Sequence, residues 1–373
     1  MKKKLIAVAV AGVLGAPLAA QAQTANVTLY GRLNVDLEFV SGKQPDGSNP
    51  RVSRLSSNSS RFGVRGTESL GGGLSAIFQI ESSINGDTNS GNLGGRETFV
   101  GFQGSWGTFK MGHFLMPLDD MHGLFGNVPT YLTSILSTAD IWAQGTLSKS
   151  DGGFDARLGN SLRYDSPSFN GLTFSGQIAL RDGSGATGPN TGDHASELRH
   201  AYSWGGNAIY NNGPIQVGLG LEGNQKVRGP DLNDYDITVA GGYNFGVVRV
   251  GALYERIKYD TPSGDLKRDM WGLSATVPMG PGNWYAFVGR ANDGKGSAAD
   301  GTRVGGLAKG SDTATTQWEI SYTYPFSKRT SVYAGYVKLD NDRNASYTFN
   351  INAYPIAVGG KPDGIVLGMI HLF

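Results

Sequence analysis

A chain of 373 residues is long enough for two or three soluble domains, but 57 glycines, 16 tyrosines, 16 phenylalanines and no sustained helical pattern point instead to many short strands joined by tight turns. Its 32 basic and 31 acidic residues nearly cancel, which argues against a nucleic-acid partner held by bulk charge. Cysteine is absent, so the stability of an exported chain must come from something other than disulfides.

Residues 1–22 read as a secretory signal peptide. Lys2, Lys3 and Lys4 form a basic start, Leu5 to Leu14 is an apolar run too short to span a membrane comfortably, and Ala20-Gln21-Ala22 is a small-x-small cleavage site. Cleavage puts the mature start at Gln23 and leaves 29 basic residues against 31 acidic ones. Beyond Ala22 there is no apolar run of helix-spanning length, whereas a membrane barrel needs only every second residue to meet lipid.

Val27 to Phe39 shows the repeating unit. Val27, Leu29, Leu33, Val35, Leu37 and Phe39 share one parity, and Thr28, Tyr30, Arg32, Asn34, Asp36 and Glu38 share the other. Period two over such a length, with charges on the second face, suits the wall of a barrel better than a sandwich strand. The same alternation predicts sixteen strands near 27–40, 54–66, 73–84, 96–105, 107–113, 154–166, 171–182, 196–211, 214–226, 233–245, 247–260, 266–278, 283–293, 313–326, 330–340 and 363–373. The joints are expected to alternate strictly. Tight turns such as Asn212-Gly213 and Pro325 to Arg329 follow even strands, and longer polar loops such as Ser41 to Ser53 and Asn341 to Pro362 follow odd ones. Short turns on one rim, long loops on the other and an even strand count define outer-membrane barrels.

One stretch breaks the alternation. Phe114 to Gly153 runs for about forty residues, long for a structureless connection, yet it carries Leu115, Leu118, Leu124, Phe125, Tyr131, Leu132, Ile135, Leu136, Ile141 and Trp142. That apolar surface must pack on something, and the expectation is that it folds into the barrel and narrows a water-filled pore. The last stretch, Ile365 to Phe373, is a strand that must pair with Val27 to Phe39, because lipid does not tolerate an open sheet edge.

Several of these residues carry a family resemblance. Val27-Thr28-Leu29-Tyr30-Gly31, Ser60 to Glu68, Leu70-Gly71-Gly72-Gly73-Leu74, Arg96 to Phe102, Asn160-Ser161-Leu162-Arg163-Tyr164 and the terminal Phe373 resemble the general porins of the Gram-negative outer membrane, in the beta-proteobacterial branch. The resemblance implies an all-β, 16-stranded antiparallel transmembrane barrel spanning 23–373, with an inward third loop at 114–153. It further implies a homotrimer in outer-membrane lipid, inserted by barrel-assembly machinery acting on the C-terminal strand. The implied function is passive diffusion of small hydrophilic solutes and ions, without a cofactor. It also implies wall arginines at the constriction. These are Arg61, Arg96 and Arg157, with Arg32 on the first strand, and parity adds Arg65 and Arg163. Parity puts Glu81 inside, and turns Glu97 outward if Arg96 faces the pore. The loop lacks the Pro-Glu-Phe-Gly-Gly tip of the enterobacterial pattern. Its acids Asp119, Asp120, Asp140 and Asp151 lie toward its ends, so a basic, weakly anion-preferring eyelet is expected.

Enzyme chemistry finds no foothold. His113, His122, His194, His200 and His371 show no metal-ligand spacing, and no Gly-x-Ser-x-Gly elbow occurs. Gly71-Gly72-Gly73 joins two strands, so it is a turn and not a phosphate loop. Two other readings remain open, a structural or adhesive barrel and a substrate-selective porin. The latter would need aromatic residues along the pore, for which Tyr30, Tyr131 and Trp142 are candidates.

Overall fold

The computed structural model describes residues 26–88, 90–125, 134–142, 153–180 and 200–373. The expected signal peptide and cleavage site lie outside these, as do Tyr131, Leu132, Asp151 and residues 196–199. Among the described residues twenty strands occur, beginning with β1 (Asn26–Lys43), β2 (Arg51–Ser57), β3 (Arg61–Gly71), β4 (Leu74–Asn85), β5 (Ser90–Asn92), β6 (Thr98–Gly104) and β7 (Gly107–Leu115). There follow β8 (Arg157–Asp165), β9 (Leu172–Leu180), β10 (Tyr202–Asn212), β11 (Ile215–Gln225), β12 (Asn233–Asn244), β13 (Arg249–Thr261), β14 (Gly264–Met279) and β15 (Gly282–Ala291). The last are β16 (Arg303–Val304), β17 (Leu307–Ala308), β18 (Thr315–Pro325), β19 (Thr330–Asn341) and β20 (Lys361–Leu372).

Each wall strand pairs antiparallel with its sequence neighbours, and β20 returns to β1 over the register Arg32↔Leu372 to Lys43↔Lys361. The sheet therefore has no edge. β2 and β3 pair with the two halves of β1 and form one wall strand, broken at Asn58–Ser60. β5 only extends β4 beyond the rim, and β16–β17 is a separate hairpin in an outer loop. The wall thus has sixteen antiparallel strands.

Accessibility identifies the solvent on each face. Val27 and Leu29 are 60% and 62% exposed, while Asn34, Asp36 and Glu38 on the same strand are at most 1% exposed. An apolar outer face and a polar inner one invert the pattern of a soluble protein, and lipid is the medium that stabilises it. Aromatic pairs mark the short-turn rim. Trp106 stacks on Tyr164 at 6.3 Å, Tyr243 meets Phe245 at 4.6 Å and Trp284 meets Tyr322 at 5.0 Å, as expected of an interfacial girdle.

Three expectations need correction. The joint between β13 and β14 is the two-residue turn Pro262-Ser263, so long and short connections do not alternate strictly. β6 begins at Thr98, because Arg96 and Glu97 form a bend. The connection after β19 is not simply a polar loop. Ala345, Tyr347, Phe349 and Tyr354 are buried, and Asn352 Nδ2 donates to Glu38 Oε1 on the inner wall at 2.7 Å.

The described parts of 114–153 pack on that inner wall, and inward-facing glycines receive them. A Cβ on Gly218 would stand 2.7 Å from Leu124 Cδ1, and one on Gly220 would stand 2.8 Å from Leu118 Cδ1. Gly289 faces Ile141, Gly335 faces Leu136 and Gly364 faces Ile135 in the same way. Polar ties fix the backbone between these contacts. Asn207 Nδ2 donates to Pro117 O at 2.7 Å, Arg249 donates to Leu124 O, and Gln317 Nε2 donates to Ser137 O at 2.8 Å.

Candidate functional site

The inner face of β1, β3, β4, β7 and β8 carries a gallery of charges. Arg32 and Arg61 stand directly across from each other in the β1–β3 register. Pairing β3 with β4 sets Arg61 near Glu81, at 3.5 Å from Nε to Oε2. Arg96 reaches the other oxygen of the same carboxylate at 2.6 Å, and Tyr30 OH donates to Glu81 Oε2 at 3.0 Å. One carboxylate therefore orients two guanidinium groups. Arg65 lies over the Tyr30 ring at 5.1 Å, a cation–π contact on the same wall.

Glu97 belongs to this gallery, contrary to the outward direction that parity gives it. The bend at Arg96-Glu97 removes the alternation. Glu97 Oε1 accepts from Arg157 Nε at 3.3 Å and from the Leu115 backbone N–H at 3.2 Å. Arg163 donates to Asp165 Oδ1 at 2.7 Å and to Asp120 Oδ2 at 2.6 Å. Lys110 pairs with Asp165 at 2.9 Å. Sequence reasoning passed over Lys110 and Asp165. Asp165 shares the parity of Arg163 on β8, and Lys110 opposes Phe109 and Met111 on β7, a signal that would have found both.

The two loop acids separate. Asp120 joins Arg163 and also accepts from Asn207 Nδ2 at 2.8 Å. Asp119 turns instead toward Asp155 and His122. Burial pushes its carboxyl well above the usual range, and the nearby Asp155 charge adds to the effect, so the protonated form is favoured. Asp140 is also buried, accepts the Asn350 N–H at 2.7 Å, and is held well above the ordinary carboxylate range by desolvation. Around the gallery, Arg32, Arg61, Arg65, Arg96, Arg157, Arg163 and Lys110 face Glu81, Glu97, Asp120 and Asp165. Seven cations and four carboxylates take part in these contacts, with the Asp36 and Glu38 carboxylates farther along the same face of β1.

The aromatic candidates are occupied elsewhere. Trp142 is buried, with its ring centroid 3.9 Å from that of His122, and Tyr30 is bound to Glu81. Phe373 closes the wall. Its N–H donates to Gly31 O at 3.1 Å, and the Gly31 N–H returns a bond to Phe373 O at 2.9 Å.

A closed antiparallel barrel, apolar outside and lined with charge inside, is an outer-membrane channel. The chain belongs to the Gram-negative porin family, whose model matches residues 7–344, and the outer membrane is its location. It is 29% identical to outer membrane porin protein 32 of Delftia acidovorans, with all of both chains covered. It is 32% identical to the major outer membrane protein P.IB of Neisseria meningitidis serogroup A, covering 92% of this chain and 95% of that one. Among solved structures, the anion-selective porin from Comamonas acidovorans superposes with a TM-score of 0.71 at 25% identity, covering 94% of this chain and all of the other.

Proposed function

We propose that this porin passes small hydrophilic solutes and ions by diffusion, with a modest preference for anions, and catalyses no reaction. The observation that carries the reading is the surplus of cations over carboxylates among the contacts of the gallery beside the inward loop. A unit charge about 6 Å from an ion contributes roughly 0.7 kcal/mol at the dielectric of water, so a surplus of three favours an anion by about 2 kcal/mol before screening. Salt at 0.1 M shortens the Debye length to about 10 Å and weakens the bias. The loop 114–153 supplies the constriction. The assembled form is a homotrimer in outer-membrane lipid, delivered by insertion machinery that recognises the C-terminal strand after residues 1–22 are removed.

The zero-current potential of a planar bilayer under a salt gradient tests the preference. Anion selectivity that weakens as salt rises is expected, and Arg61→Glu should shift the potential toward cations most clearly in dilute salt. A native channel already cation-selective in dilute salt would overturn the reading.

A further inference from the structure

The loop's two ends meet in a cluster that diffusion does not require. Asp119 lies in the single 3-10 turn Asp119–Met121, and His122 opens the helical turn His122–Phe125 that follows. A spacing of three residues sets both side chains on one side of this short rod. Asp155, just beyond the loop's far end, completes the set, with its Oδ2 2.6 Å from His122 Nε2. One ligating atom from each of the three residues lies within 4.8 Å of the others. His122 and Asp155 are fully buried, while Asp119 keeps partial exposure.

Further carboxylates stand around this cluster. The Asp155 N–H donates to Glu222 Oε2 at 3.0 Å, and Glu222 stands directly across from Asp236 in the β11–β12 register. Asp236 Oδ2 is buried with no hydrogen-bond donor against it. Glu255 acts electrostatically on Asp155, His122 and Asp236. Arg157 also acts electrostatically on Asp155, and Arg268 pairs with Glu255. Two carboxylates set against each other repel, and a divalent cation bound between Asp119 and Asp155 offsets that repulsion.

We propose that Asp119, His122 and Asp155 bind one divalent transition-metal ion, which ties the start of the inward loop to its end. One imidazole and two carboxylates suit Zn²⁺, with a fourth position left over. The metal takes the place of the proton between Nε2 and Oδ2. With the imidazole proton on Nδ1, the shared proton belongs to Asp155 Oδ2; it passes to solvent, the Nε2 lone pair goes to the metal, and Asp119 gives up any proton it holds. Bonds of about 2.0–2.2 Å in tetrahedral geometry set donor atoms about 3.3 Å apart, so the Asp155–His122 contact opens and Asp119 draws in. The site does not depend on which ions the gallery favours.

The test uses the full barrel in detergent, stripped with EDTA and titrated with Zn²⁺ alone by calorimetry, and with Co²⁺ as a visible probe. One equivalent per chain is expected, with proton release seen as a buffer-dependent enthalpy, and bound Co²⁺ should show the intense visible bands of tetrahedral coordination. His122→Gln and Asp119→Asn should lose this binding, while His371→Gln keeps it. Asp119 is partly exposed, so Asp119→Asn serves if the buried variant does not fold. Binding unchanged in Asp119→Asn or His122→Gln, or no stoichiometric uptake by the native barrel, would overturn the proposal and leave an Asp–His hydrogen bond only.

Discussion

Asp140 shows how one residue sets a response of the whole loop. Its carboxyl is buried between the Asn350 N–H and Gln317, within electrostatic range of Glu319 and Glu38. Desolvation holds its folded value well above the ordinary 3.8. A raised folded value means that the folded state binds the proton more tightly. Its contribution is therefore complete below about pH 4 and is lost as pH rises from there through the raised value, at up to about 1.4 kcal/mol per pH unit for one proton. Asp140→Asn keeps an oxygen for the Asn350 N–H and removes the titration. Thermal melts of the detergent-solubilised barrel should show the variant gaining stability over the native protein as pH rises, with no gain near pH 3. Parallel profiles would show that Asp140 does not titrate in this range. At this scale the sequence was partly legible. The resemblance named Arg61 and Arg157 and parity added Arg163, while the register shift opposite Gly112 and Phe114 interrupts the alternation between Leu158 and Ser161, which parity alone does not show. Glu97 was misplaced because two residues of bend reset the parity, and no side-chain pattern announces that bend.

At the scale of the element, the inward loop depends on what the wall leaves out. Gly218, Gly220, Gly289, Gly335 and Gly364 lie on inward-facing positions where a side chain would occupy the space of Leu124, Leu118, Ile141, Leu136 or Ile135. These glycines look like weak points in strand sequences, since glycine lowers strand propensity and packs nothing. That is why the loop's need for a docking surface was legible and the surface itself was not. Gly220→Val should cost about 1–3 kcal/mol through overpacking, and it should release the loop more readily than it unfolds the barrel, whose hydrogen-bonded ladder is unaffected. Single-channel recordings should then show larger or noisier conductance, while Leu219→Val, on the lipid face of the same strand, leaves it unchanged. Unaltered conductance in Gly220→Val with the barrel intact would mean that the neighbouring Met121 and Leu118 side chains absorb the extra atoms. The connection after β19 was read as a long polar loop. Yet Ala345, Tyr347, Phe349 and Ile351 alternate there with Ser346, Thr348, Asn350 and Asn352, and that apolar parity was the signal of a face that packs.

At the scale of the molecule, closure is the condition on which lipid insists. Fifteen of the sixteen wall pairings join sequence neighbours and can form locally, but β1 with β20 joins the two ends of the chain. That seam extends to Phe373, which exchanges two backbone hydrogen bonds with Gly31, and its ring covers the Gly31 position where a Cβ would otherwise stand. Unpaired backbone groups at such a seam would face hydrocarbon at several kcal/mol each. Deleting Phe373 removes both bonds and the ring together, whereas Phe373→Ala keeps the backbone pair and loses only the ring. If the seam's hydrogen bonds govern folding, purified chain refolded into detergent should close in Phe373→Ala and fail in the deletion, read by the shift of the heat-modifiable band. If the ring is the feature that insertion machinery grips, Phe373→Ala should refold in detergent yet fail to reach the membrane in cells, leaving protease-sensitive chain in the periplasm. Normal levels of membrane-inserted, heat-modifiable barrel from the deletion in cells would remove Phe373 from both roles.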